Sequence, residues 1–161
     1  MNKFLDIKPE YYEIGETYLK LDFEFNKDEN FIITSNILWQ KTEYQSFDNA
    51  FSSLEGNNFI DTPELQAVVG LSWKINSNFV LSLEEIIQSS RFSDAPNNPE
   101  DELKSRYISN VKLGYEQQDW AVYLWGANIT DEQFLTYKST LSDIAVAGIA
   151  ASYGVTVEVQ F

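Results

Sequence analysis

The last nine residues, Tyr153-Gly-Val-Thr-Val-Glu-Val-Gln-Phe161, constrain the chain most, because apolar side chains at 153, 155, 157, 159 and 161 alternate with Gly154, Thr156, Glu158 and Gln160. A period of two puts one greasy and one polar face on a single strand. Soluble domains tend to finish on polar, frayed residues. A sequence that closes its final strand on an aromatic reads instead as the end of a transmembrane β-barrel.

The same alternation recurs upstream and predicts about seven strands, roughly at 18–26, 31–41, 64–74, 79–90, 106–116, 120–129 and 152–161. Leu19, Leu21, Phe23 and Phe25 share one face of the first, and Phe31, Ile33, Ser35, Ile37 and Trp39 one face of the second. Leu65, Ala67, Val69, Leu71 and Trp73 do so in the third, as do Tyr107, Ser109, Val111, Leu113 and Tyr115 in the fifth. No segment carries a convincing helical period. Residues 1–17 read as a lead-in, and 18–161 as the strand-bearing unit.

Short and long connections alternate. Asn26–Asn30, Ile75–Asn78 and Glu116–Asp119 are short and built from turn formers, whereas about 42–63, 91–105 and 130–151 are long and carry Asn57-Asn58, Pro63, Pro96 and Pro99. Outer-membrane barrels place short turns in the periplasm and long loops outside. On that pattern the last strand runs down and Phe161 ends in the periplasm.

Aromatics flank every short turn on the apolar face: Phe25 with Phe31, Trp73 with Phe79, and Tyr115 with Trp120, with Phe161 at the same level. Such a row is the girdle expected at one membrane interface, and Trp39, Tyr107 and Tyr153 would supply the other. The apolar runs Phe31–Trp39, Leu65–Trp73, Tyr107–Tyr115 and Tyr153–Phe161 match the roughly 9–11 residues of a tilted spanning strand. A soluble β-sandwich or lipocalin-like module also alternates, but turns its apolar face inward to a core.

Composition removes most other chemistry. Eleven basic against 25 acidic residues give a formal charge of −14, which opposes nucleic-acid backbones, so no nucleic-acid partner is expected. With no Cys and no His there is no disulfide, thiolate or imidazole ligand, and no Ser-His-Asp triad. No catalytic residue, cofactor or metal site is read, and Met1–Lys8 does not read as a signal peptide.

Several features have plain readings. Glu84-Glu85 are neighbours on a strand and face opposite ways, so they do not form a two-carboxylate device. Glu85 falls in register with Phe79, Leu81 and Leu83 and would point at lipid, unless a bulge near Glu84 or a position above the membrane relieves it. Asp94, Glu100, Asp101 and Glu102 lack calcium-loop spacing and read as a solvated loop. The sequon Asn128-Ile-Thr130 is read as a turn-entry motif. Lys20, Asp22, Glu24, Gln66, Lys74, Asn110, Lys112, Glu116, Glu158 and Gln160 would face a polar barrel interior.

The run Trp120-Ala-Val-Tyr-Leu-Trp-Gly-Ala-Asn-Ile-Thr-Asp-Glu-Gln-Phe134 resembles the penultimate strand of the TonB-dependent outer-membrane receptors. Asn128, Ile129, Thr130, Asp131 and Phe134 hold the family's motif positions, with Phe in place of the usual Tyr. The ending Gly148–Phe161 resembles the family's closing strand, with Ala150 and Ala151 in place of Pro and Arg, and Asp61-Thr-Pro-Glu64 resembles its Thr-Pro lead-in. The resemblance implies an all-β fold: antiparallel up-and-down transmembrane strands, the C-terminal portion of a barrel of about twenty-two strands that encloses a plug. It implies import of a scarce nutrient (siderophore, cobalamin or oligosaccharide) across the bacterial outer membrane. The implied partners are outer-membrane lipid, the plug and N-terminal barrel strands, the inner-membrane TonB energy-coupling complex, and the outer-membrane assembly machinery. Tyr153, Val155, Val157, Val159 and Phe161 would form the signal read in assembly. A truncated reading frame or one half of a split gene would account for such a piece; a small stand-alone outer-membrane barrel and a soluble all-β ligand-binding module are the alternatives.

Overall fold

The computed structural model describes residues 5–12, 16–45 and 54–160. In chain order the strands are β1 (Leu5–Tyr12), β2 (Glu16–Asp28), β3 (Phe31–Thr42), β4 (Leu65–Lys74), β5 (Phe79–Gln88), β6 (Arg91–Phe92), β7 (Glu102–Leu103), β8 (Arg106–Glu116), β9 (Trp120–Ala127), β10 (Leu135–Ser139), β11 (Ile144–Ala147) and β12 (Ser152–Val159). A single 3-10 turn, Pro99–Asp101, precedes β7. Eight strands form one antiparallel sheet in the order β1-β2-β3-β4-β5-β8-β9-β12, so every sequence neighbour in the sheet is also a spatial neighbour. This is an up-and-down meander. All seven expected strands are present, and β1 adds an edge strand inside the stretch read as a lead-in, pairing Leu5 with Phe23 through Tyr12 with Glu16.

Register decides which residues share a face. Ile33 pairs with Phe25 and Leu71, Leu71 with Leu83, Leu83 with Val111, Leu113 with Leu124, and Leu124 with Val155, which carries one apolar face across β2 to β12. The opposite parity is polar. Asp22 pairs with Asn36, Ser72 with Ser82, Glu84 with Asn110, and Ala121 with Glu158. The ladders of β3 to β5 and β5 to β8 are uninterrupted, so the bulge expected near Glu84 is absent. A bulge instead falls between Asn26 and Asp28, at the first short turn.

Among the described residues no second layer covers the apolar face. Leu54, Ala67, Leu103, Ala121 and Tyr123 are the buried apolar residues among those described. At roughly 1.5–3 kcal/mol for each fully buried side chain, so few cannot hold a sheet of this size in water. Meanwhile Val69, Trp73, Leu83, Leu113, Leu124 and Val155 lie exposed on one continuous surface. Soluble monomers rarely expose so wide an apolar patch.

Glycines in the sheet stand opposite bulky partners. Gly114 pairs with Tyr123, Gly126 with Tyr153, and Gly154 with Trp125. In each pair the ring occupies the volume of the missing Cβ, with Tyr123 Cδ1 2.6 Å and Tyr153 Cδ1 2.9 Å from where a Cβ would sit. Aromatic rings laid over strand glycines fix register as well as filling space.

Candidate functional site

The polar face carries an open hollow of about 440 Å³ across β3, β4, β5, β8 and β9, lined by Thr34, Ser72, Ser82, Glu84, Lys112 and Trp125 among others. A hollow spanning five adjacent strands requires the sheet to curve toward its polar side. The polar side is thus concave and the apolar side convex, the sense that a barrel wall with a wet interior needs. Its side chains are tied to one another: Asn36 Nδ2 donates to Asp22 at 2.7 Å, Lys20 pairs with Asp22 at 3.0 Å, and Asn110 Nδ2 donates to Glu84 at 2.8 Å. Tyr123 donates its hydroxyl to Glu116 at 2.9 Å, while the Lys112 ammonium lies 3.8 Å from the centre of the same ring. Lys20, Asp22, Glu24, Gln66, Lys74, Asn110, Lys112, Glu116 and Glu158 all take the polar-face register expected of them.

On the convex side the structure brings together five of the six rings expected at the short-turn rim. Phe31 and Trp73 meet edge to face with centroids 6.2 Å apart, Phe79 and Tyr115 at 4.9 Å, and Tyr115 and Trp120 at 5.6 Å. Such contacts contribute roughly 0.5–1.5 kcal/mol each beyond burial. Phe25 pairs with Ile33 on the same face, and the Asn26/Asp28 bulge sets Phe31 opposite Asp28. At the opposite end Trp39, Tyr107 and Tyr153 are exposed on the same face.

Glu85 does lie on the apolar face, where Ser109 Oγ donates to it at 2.5 Å. Glu84 bonds Asn110 on the other side of the sheet. The two carboxylates are separated by the sheet itself. Of the residues expected to form an assembly signal, Tyr153, Val155, Val157 and Val159 form an exposed row on β12, with Val155 and Val157 each 63% exposed; Phe161 lies outside the described residues.

The motif Asn128–Phe134 closes the end of β9. Asn128 adopts a left-handed conformation, φ 49°, which Asn tolerates better than most residues. Its side chain is buried and saturated: Nδ2 donates to the carbonyls of Glu132 and Ile149, both at 3.0 Å, and Oδ1 accepts from the Glu132 amide at 2.9 Å. Asp131, also left-handed, accepts from the Ala151 amide at 3.0 Å. Together they fasten both ends of the last long connection to the entry of β12. Ile129 packs over Gly126 beside Tyr153, Thr130 is exposed in the turn, and the Phe134 ring fills the place of a Cβ at Gly148.

The long connections are not loose. The one between β5 and β8 folds into the small β6–β7 ladder, and that between β9 and β12 into the β10–β11 hairpin. Buried polar groups join them. Arg91 gives Nε to Asp61 at 3.1 Å, Nη1 to Gln88 at 3.4 Å and Nη2 to the Thr136 carbonyl at 3.3 Å. Ser93 Oγ donates to the carbonyl of Asp101 or of Lys138. Asn58 and Asn97 exchange two bonds, 2.6 and 3.0 Å, between the first and second connections. Asp101, read as part of a solvated loop, is 4% exposed and accepts from the Thr140 amide at 2.7 Å and hydroxyl at 2.6 Å. The Thr140 hydroxyl holds its carboxyl below the ordinary value of 3.8, against a smaller opposing effect of burial. Sequence gave no sign of this network, because its partners lie 30 to 45 residues apart.

An antiparallel meander with a convex apolar belt and a concave polar wall defines the outer-membrane type of β-barrel sheet. Solved structures of that type are similar to this chain along most of its length. The siderophore receptor PiuA from Acinetobacter baumannii matches 88% of the chain at 14% identity and TM-score 0.74, over 21% of its own length. The ferric yersiniabactin uptake receptor FyuA from Yersinia pestis matches 91% at 16% identity and TM-score 0.79, over 23% of its length. The ferric-catecholate import receptor Fiu from Escherichia coli K12, in its closed form, matches 91% at 15% identity and TM-score 0.73, over 21% of its length. The chain has the fold of the barrel wall of the TonB-dependent receptors and spans between a fifth and a quarter of the length of these three. No family model and no curated protein matches the sequence.

Proposed function

We propose that the chain supplies the C-terminal strands of a TonB-dependent receptor barrel in the bacterial outer membrane, and that the complete receptor imports a scarce nutrient. The observation that carries this reading is the exposed convex face from β2 to β12, whose apolar side chains have no protein layer to cover them and whose aromatic rings gather at one rim. Hydrocarbon is the solvent that suits such a face. Of the cargoes siderophore, cobalamin and oligosaccharide, the ferric ligands named for FyuA and Fiu favour an iron chelate. The plug, the N-terminal strands and the inner-membrane energy-coupling complex are the partners this role requires. Tyr153, Val155, Val157, Val159 and Phe161 are proposed as the row that the assembly machinery reads, and Phe31, Trp73, Phe79, Tyr115 and Trp120 as the periplasmic girdle.

An open sheet leaves an unpaired row of N–H and C=O groups on β1 and another on β12, which hydrocarbon does not satisfy. The chain therefore needs further strands. One observation favours a stand-alone barrel instead: eight is the strand number of the smallest bacterial barrels, and β1 and β12 run in opposite senses, as closure requires. Expression with and without a second chain carrying the plug and N-terminal strands separates the two readings. A heat-modifiable, protected barrel only in the co-expressed sample supports the receptor; a monodisperse monomer of the chain alone, cooperative in unfolding, supports the stand-alone barrel.

A further inference from the structure

We propose that Arg106, with Arg91 beside it, forms a binding site for a small oxyanion, a carboxylate or a phosphate, at the long-connection rim of the concave face. This inference rests on the chain's own residues and not on the receptor reading. The two arginines differ sharply in how they are used. Arg91 is a structural arginine: buried, paired to Asp61 and bonded also to Gln88 and the Thr136 carbonyl.

Arg106 has none of this. It opens β8 on the polar face directly opposite Gln88, the residue that Arg91 also holds. Its guanidinium carbon lies 4.6 Å from the centre of the Phe134 ring. Its Nε is enclosed and bonds nothing, the one buried side-chain polar atom left so among the described residues. No carboxylate pairs with it among those residues, since the carboxylate at this corner, Asp61, is taken by Arg91.

Two guanidinium groups therefore come to one corner, Arg106 across from Gln88 and Arg91 bonded to it, in a chain whose formal charge is −14. Their mutual repulsion disfavours the arrangement unless an anion joins it. Stacking on Phe134 fixes the plane of the Arg106 guanidinium without using its N–H groups. The enclosed Nε is out of a ligand's reach, so it is the outer Nη edge of this flat, held fork that accepts two oxygens of a carboxylate or phosphate side by side.

The test uses the barrel assembled in detergent with the co-expressed second chain, or the chain alone if it folds unaided, with ¹⁵N spectra of the arginine Nε–H groups followed during titration with inorganic phosphate and, separately, citrate. Saturable movement of the Arg106 signal is expected. Arg106→Lys keeps the charge and loses the fork, and should weaken binding by about tenfold or more; Phe134→Leu should weaken it less, and Lys27→Ala, at the opposite rim, not at all. An Arg106 signal unmoved by either anion overturns the proposal. So does equal affinity in Arg106→Lys and Lys27→Ala, which would reduce the effect to general screening.

Discussion

Gly154 of β12 stands directly across from Trp125 of β9, and the indole lies where a side chain at Gly154 would begin, its Cε2 2.6 Å from the position of a Cβ. Gly154→Ala forces the indole or the backbone to move. Overpacking of this kind costs about 1–3 kcal/mol. Urea unfolding of the folded chain should show that loss, and the Trp125→Leu background should recover most of it. A loss that persists in the absence of the indole would assign the effect to backbone freedom instead.

The curvature of the sheet predicts a strict alternation in labelling. Single cysteines at Leu71, Val111, Val155 and Val157 should be quenched by a lipid-borne spin label, whereas those at Ser72, Lys112 and Thr156 should respond to a water-soluble quencher. Equal response from both sets would remove the membrane reading.

Asn128→Ala removes three side-chain hydrogen bonds and leaves a left-handed backbone on a residue that resists it. A loss of roughly 2–4 kcal/mol is expected from unmade bonds and strain together. It should appear as faster proteolysis within 130–151, with β2 to β5 unchanged. Uniform sensitivity along the chain would show that the motif supports more than its own connection.

Asp101 predicts an acid limit for the long connections. Its carboxyl is held below 3.8 in the folded state by Thr140, so its contribution is complete above the unfolded value and is lost as pH falls through the folded one. The protection factor of the Thr140 amide, corrected for the intrinsic pH dependence of exchange, should therefore fall as pH drops below the ordinary carboxylate range. Thr140→Val should shift that loss toward higher pH; an unchanged acid profile would contradict the pairing.

Removal of Phe161 should lower the amount of folded, heat-modifiable barrel when the complete receptor is made in cells. The exposed row Tyr153, Val155, Val157 and Val159 that precedes it is the basis for this expectation. Wild-type amounts would show that the row suffices without its last member.

Strand positions were legible because alternation is local: each residue reports its own face, and the seven expected strands need no knowledge of their partners. β1 was not among the seven expected strands, and the region around 4–14 was legible as an eighth only for a stand-alone barrel, because Pro9 lowers the strand signal and pairing with β2 is what reveals the element. The Asn26/Asp28 bulge was silent for a related reason, since it is a property of two strands together. The aromatic rim followed from position alone. Arg91, Asp101 and Arg106 carried no signal at all: what distinguishes them is whom they meet, and those partners are fixed by three dimensions and not by spacing.

The bonds that join the three long connections have a mechanical consequence. Asn58 holds Asn97, Arg91 holds Asp61 and the Thr136 carbonyl, and Asp101 holds Thr140, so each connection is gripped by another. None swings outward without pulling on its neighbours. A push at the tip near Leu141 is passed through Thr140 and Asp101 to Arg91 and on to Asp61, so these gripped segments move together.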